Sequence, residues 1–267
     1  MDDRAKSGQE PRSVLVLPWH LFDQMSDLVA TLRDGGQAAQ EVVACPGTTG
    51  RAWSDLAELY LPLRDAVIRS PQPVAILSGD CVASLAVLAG LEQKHQQLHL
   101  VWFDAHGDFH TESTTTSGYL GGLPLAKAVG RGDLTLPDAL GLVPLRENAV
   151  TLVDARDLDP PEELAIRDSD VEHVGLDGLD PCRLPTTPLV IHVDVDIVDP
   201  TELRGLRFPA PGGPTADEVC DALSSVCSAR RVVAIDLAAT WDPARADSEQ
   251  TSNLISSLID AMRSQTV

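Results

Sequence analysis

Residues 98–108, LHLVWFDAHGD, and 188–200, PLVIHVDVDIVDP, each run from an unbroken apolar stretch into a cluster of aspartates. Short apolar runs without alternation are what a strand covered on both faces requires, the condition of a parallel sheet packed between helices. In extended chain the side chains at i, i+2 and i+4 fall on one side. Asp104, His106 and Asp108 therefore share a face, as do Asp194 and Asp196. Open α/β sheets place their ligands beyond the carboxyl ends of the strands, so the two clusters are expected to meet in one crevice.

The rest of the chain repeats this layout. Apolar runs at 13–17, 41–44, 73–77, 149–153 and 231–235 alternate with helical patterns such as 54–69 and 215–228. That order predicts βαβ units, a mainly parallel sheet and a three-layer α/β/α sandwich. The 267 residues suit one large α/β domain spanning 13–267, with the polar opening 1–12 read as a disordered tail. PPE, LDPCRLPTTP and RFPAPGGP read as surface loops.

Forty acidic residues against twenty Lys and Arg give a formal charge of −20. This argues against a nucleic-acid surface. The chain has neither an apolar leader segment nor a run long enough to span a membrane. Its five cysteines lack paired spacing and are odd in number, which favours reduced thiols and a cytoplasmic location. His192 shares strand parity with Asp194 and is read as a packed or supporting histidine rather than a ligand.

Four aspartates crowded at strand ends repel one another unless cations neutralise them. One divalent ion balances half of that charge. Oxygen-rich ligands with an imidazole suit a pair of Mn²⁺ ions better than a thiolate-rich zinc site. Two ions about 3.5–4 Å apart activate a bridging water and polarise an electrophile. The competing reading, aspartates as ordinary turn and cap residues, fits one such motif far better than two.

These motifs resemble those of the ureohydrolases, the family of arginase, agmatinase, guanidinobutyrase and formimidoylglutamase. DAHGD (104–108) is similar to D-A-H-x-D, DVDIVDP (194–200) to D-x-D-x-x-D-P, and SGD (78–80) to the start of G-G-D-H-S. SGYLGGLP (117–124), DARDLDPPE (154–162) and AIDLAATWDP (234–243) extend the resemblance in the same order. It implies an arginase-like fold, two Mn²⁺ ions and hydrolysis of guanidino carbon–nitrogen bonds. It also implies that Asp104 and Asp194 bridge both metals and hold the attacking hydroxide, that Asp108 completes one ion, and that His106 with Asp196 completes the other.

Three departures stand out. Cys81 replaces the family's first metal-binding histidine; a thiolate there is a softer, charged donor, and the alternative is a small buried residue starting the next helix. Gly121 stands where arginases carry a proton-shuttling histidine. Ala239 or Thr240 stands where the family has a glutamate facing the guanidinium. The amino-acid end looks intact: the resemblance places His110, Thr115 and Ser117 at α-carboxylate contacts and Asp157, Asp159 and Glu162 around the α-amino group. The implied partner is a small guanidino amino acid, and nothing in the sequence specifies an oligomer. Within the family this combination resembles the Nω-hydroxy-L-arginine hydrolase of D-cycloserine biosynthesis, yielding hydroxyurea and L-ornithine. The alternatives are an arginase or another guanidino-acid hydrolase, and a non-catalytic amino-acid-binding homologue.

Overall fold

The computed structural model describes residues 14–263, so the polar opening lies outside the described residues. In chain order the elements are β1 (Val14–Leu17), β2 (Trp19–His20), β3 (Asp23–Gln24), α1 (Asp27–Asp34), β4 (Ala39–Glu41) and α2 (Ala52–Arg69). There follow β5 (Val74–Ser78), α3 (Ala83–Glu92), β6 (His99–Asp104), α4 (Pro124–Ala128), α5 (Thr135–Leu140), β7 (Val150–Asp154) and α6 (Pro160–Arg167). The chain continues with β8 (Glu172–Val174), β9 (Leu189–Asp194), α7 (Ala216–Ala229), β10 (Val232–Ala238) and α8 (Ser248–Arg263).

Eight strands form a parallel sheet in the order β4-β1-β5-β10-β9-β6-β7-β8, and β2 and β3 make a small antiparallel hairpin apart from it. Strand parity sorts the core. Val101, Phe103, Ile191, Val193, Ile235 and Leu237 pack with apolar side chains of α1, α7 and α8 on one face. Leu100, Trp102, Val190 and Ala234 pack with α2 to α6 on the other. Helices on both faces of a parallel sheet make the three-layer sandwich that the uninterrupted apolar runs predict.

The interior strands fall within a few residues of their expected positions. The run at 41–44 does not: β4 covers 39–41, because it is an edge strand paired to β1 alone and Val43 turns out to solvent. Two polar pairings, β8 and the β2–β3 hairpin, carry no apolar run to announce them. The sequence places Cys81 at the start of a helix, whereas α3 begins at Ala83 and leaves Cys81 in the preceding turn.

Register fixes what stands at the top of the sheet. Asp194 pairs with Ala238 and Asp104 with Asp154; two residues lower on the same face, Asp236, His192 and Trp102 lie side by side across β10, β9 and β6. By parity both rows face the α2 to α6 layer.

Candidate active site

A cavity of about 230 Å³ opens above these strand ends. Cys81, His106, Asp108, Asp194 and Asp196 line it, with His110, Asp157, Asp159 and Glu162 among the remaining walls. The two aspartate clusters do converge.

Asp104 and Asp194 are each held by the backbone turn that follows them. Asp104 Oδ1 accepts from the amide of His106 at 2.8 Å and Oδ2 from Trp102 Nε1 at 3.0 Å. Asp194 Oδ1 accepts from the Asp196 amide at 2.9 Å and from the Thr240 hydroxyl, while Oδ2 accepts from the Cys81 thiol at 2.9 Å. His106 Nδ1 lies 3.2 Å from Asp196 Oδ2 and 3.4 Å from Asp104 Oδ1. Asp108 turns back toward the cavity with a φ of +49°, a conformation aspartate tolerates better than most side chains and one that clusters at functional sites.

The electrostatics show an acid excess. Burial and then the charges of Asp104 and Asp194 push Asp108 well above the ordinary carboxylate range; burial, Asp194 and Asp104 do the same to Asp196. Burial and Asp104 raise Asp194 to about 6. Burial opposes the charge of His106, but its contacts with Asp104 and Asp196 outweigh that and push it to about 12. Cys81 is raised well above an ordinary thiol by burial and then by Asp194, Asp108 and Asp104.

This donor set fits cations. Asp108 Oδ2 and Asp196 Oδ1 are buried acceptors with no hydrogen-bond donor, and Asp196 Oδ2 has only the poorly aligned ion contact with His106, a costly arrangement that a bound ion relieves. Ligand atoms of Asp104, His106 and Asp196 lie within 4.8 Å of one another, and so do those of Cys81, Asp104 and His192. Asp104 belongs to both groups, consistent with a bridging place.

The amino-acid end is assembled in part. His110 Nε2 lies 3.2 Å from Asp159 Oδ2 and 3.9 Å from Glu162 Oε2, so residues expected to grip opposite ends of the head group form one cluster. Glu162 Oε1 accepts from the Phe109 amide at 2.8 Å, and its close approach explains Gly107, where a Cβ would lie 2.7 Å from the Glu162 carboxyl carbon. Asp157 sits at the rim, 3.9 Å from His106 Nε2. Thr115 is half-buried and Ser117 exposed; they pair with each other at 3.4 Å and neither lines the cavity.

The structure separates the two positions that the alignment left open. Ala239 is buried on the α7–α8 face, whereas Thr240 lines the cavity and donates to Asp194. Neither position carries a carboxylate. At Gly121 a Cβ would come within 2.4 Å of the Tyr119 ring, so Tyr119 fills the space that a side chain there would take. Tyr119 Oη is paired to His20 Nε2 at 2.9 Å, and Phe208 packs 4.8 Å from the Tyr119 ring. The sequence reading passed over Tyr119, His20 and Phe208, although Tyr119 lies inside the SGYLGGLP motif and was the one accessible signal.

The arginase family pattern matches residues 34–263. The chain belongs to the arginase family. Members of this family are hydrolases of guanidino carbon–nitrogen bonds with a binuclear metal centre. The family chain is 28% identical to an arginase of Bacillus subtilis (strain 168) over 213 residues, 73% of this chain and 71% of that protein. It is 29% identical over 212 residues to an N(omega)-hydroxy-L-arginine amidinohydrolase of Streptomyces lavendulae, covering 76% and 74%. The native structure of Bacillus caldovelox arginase shares its fold with a TM-score of 0.83 at 22% identity, over 97% of this chain and 99% of that one. Among the described residues no helix of this arginase-family chain is long and apolar enough to cross a membrane, and its five cysteines are free.

Proposed function

We propose that this arginase-family chain hydrolyses Nω-hydroxy-L-arginine to hydroxyurea and L-ornithine. The observation that carries the reading is the asymmetry of the cavity. Its amino-acid end keeps His110, Asp159 and Glu162 together, while its guanidino end has Cys81, a tyrosine packed over Gly121, and Thr240 in place of a carboxylate. A cationic guanidinium without a counter-ion is poorly held in a buried site. An Nω-hydroxyl withdraws electrons, so more of the substrate is neutral and its carbon is more electrophilic. The similarity to the Streptomyces lavendulae protein points the same way.

Cys81, Asp104, His106, Asp108, Asp194 and Asp196 would hold two Mn²⁺ ions, with Asp104 and Asp194 between them. Such a pair supplies a nucleophile from water at neutral pH and polarises the carbon attacked. The chain's own groups do the positioning. His110, Asp159 and Glu162, with Asp157 at the rim, grip the α-amino acid and set the guanidino carbon over the aspartates. Thr115 and Ser117 would join them by movement of their loop over the carboxylate. Tyr119, whose Oη is paired with His20 Nε2, lines the same cavity. His20 is suited to accept that hydrogen bond, since burial lowers its basicity. The chain works as a single cytoplasmic domain over 13–267.

The test is a product assay on Mn²⁺-loaded protein. Nω-hydroxy-L-arginine should give equimolar hydroxyurea and ornithine. Metal-loaded protein that forms neither product would refute the assignment.

A further inference from the structure

Position 81 has lost the family's imidazole, yet a second imidazole lies buried directly beneath the site. His192 is fully buried on β9, two residues below Asp194 on the same face, and its ring stacks on Trp102 at 3.7 Å between centroids. Its Nδ1 lies 2.8 Å from Ser84 Oγ and 3.1 Å from Asp236 Oδ2, and Ser84 Oγ donates to that same carboxylate oxygen at 2.5 Å. With the serine proton given to Asp236, both neighbours of Nδ1 are acceptors, so Nδ1 carries the ring proton. Nε2 is left as a lone pair. It is buried and has no partner.

A ring nitrogen of His192 is grouped within 4.8 Å of Cys81 Sγ and an Asp104 carboxylate oxygen. Since Nδ1 is engaged below, Nε2 is the atom that faces them. Donors sharing one ion at bond lengths of about 2.0–2.3 Å sit within about 4.6 Å of each other, so little adjustment is needed. Metal-binding histidines commonly give their other N–H to a carboxylate, which fixes the tautomer and aims the ring, and Asp236 stands in that place. A histidine kept for packing shows a different pattern. His99, also buried, spends its Nε2 on Thr151 Oγ1 at 2.9 Å.

We propose that His192 Nε2 is a ligand of the metal ion on the Cys81 side, and that Asp236 and Ser84 position its ring. The imidazole missing at position 81 thus returns from the adjoining layer of the sheet. This rests on the two-metal reading above and adds to it a ligand from outside the recognised motifs.

The test uses Mn²⁺ alone, added to the metal-free full-length chain labelled with ¹⁵N-histidine. Binding is followed by calorimetry and the nitrogen ligands by pulsed electron paramagnetic resonance. In His106→Asn the bound Mn²⁺ should still show a histidine nitrogen coupling, supplied by His192. His192→Asn should weaken one of the two binding steps by about 10- to 100-fold and leave the other unchanged, and Asp236→Asn should weaken the same step. The proposal is overturned if His106→Asn binds Mn²⁺ with no histidine coupling, or if folded His192→Asn binds both ions as tightly as wild type. If His192→Asn does not fold, the His106→Asn spectrum decides, because it leaves the buried ring in place. A wild type that binds one ion with the coupling retained in His106→Asn contradicts the two-metal reading and supports His192. Two tightly bound ions without that coupling do the reverse.

Discussion

Asp194 accepts from Cys81, Thr240 and the Asp196 amide, and the proposal gives it a bridging place as well. Asp194→Ala should release metal and abolish turnover; two retained Mn²⁺ ions with near-normal activity would refute its bridging place. Cys81 makes a separate prediction. Burial and three aspartates hold it as a thiol in the metal-free chain, so coordination must expel its proton. Calorimetry in buffers of different ionisation enthalpy should show about one more proton released per chain by wild type than by Cys81→Ser. Asp108, Asp196 and Asp194, raised in the same way, must also give up protons. The sign follows: Mn²⁺ affinity should climb as pH rises through about 6, where Asp194 ionises. The metal-free chain should lose stability over the interval from the ordinary carboxylate range up to that value, because the unfolded state sheds its protons first. Cys81→His should raise activity on arginine relative to Nω-hydroxyarginine, since a neutral ligand leaves the ion a stronger Lewis acid. The gain should be partial, because Tyr119 still occupies the space beside Gly121.

Among the elements, the turn from β5 to α3 carries the site's geometry. Asp80 is fully buried there, accepting from the Leu21, Val82 and Ala83 amides and from the Tyr60 hydroxyl. Asp80→Ala leaves those buried donors unpaired and should cost about 3 kcal/mol or more of stability in urea unfolding; a loss below about 1 kcal/mol would show that the turn holds without it. The elements that carry metal candidates were the most legible, because fully buried parallel strands have continuous apolar runs and end in the aspartates themselves. β8 and the β2–β3 hairpin were invisible for the opposite reason, being two or three residues long and carrying no continuous apolar run. The role of His192 was hidden in the same way. Its parity with Asp194 was readable, but the Asp236 and Ser84 contacts that set its tautomer come from two other elements.

Across the whole molecule, the sheet gathers one acidic floor from β6 and β9 and one cluster of His110, Asp159 and Glu162 from the segments after β6 and β7. Motif spacing predicts the first; the second was expected only from the family resemblance. It missed that Thr115 and Ser117 lie outside the cavity and that His110 leans on Asp159, because loop conformation is not encoded by a local period. A pocket built for a whole amino acid should reject agmatine, which lacks the α-carboxylate and leaves buried polar groups unpaired. Equal specificity constants for agmatine and the amino-acid substrates would remove His110, Asp159 and Glu162 from their assigned work. The central claim, a guanidino end fitted to a hydroxylated and less basic group, is tested most directly by kcat/KM for Nω-hydroxy-L-arginine against L-arginine, on one preparation of known Mn²⁺ content. The account predicts a preference for the hydroxylated substrate of at least about tenfold, the effect of roughly 1.4 kcal/mol in transition-state binding. Equal values, or a preference for arginine, would contradict it.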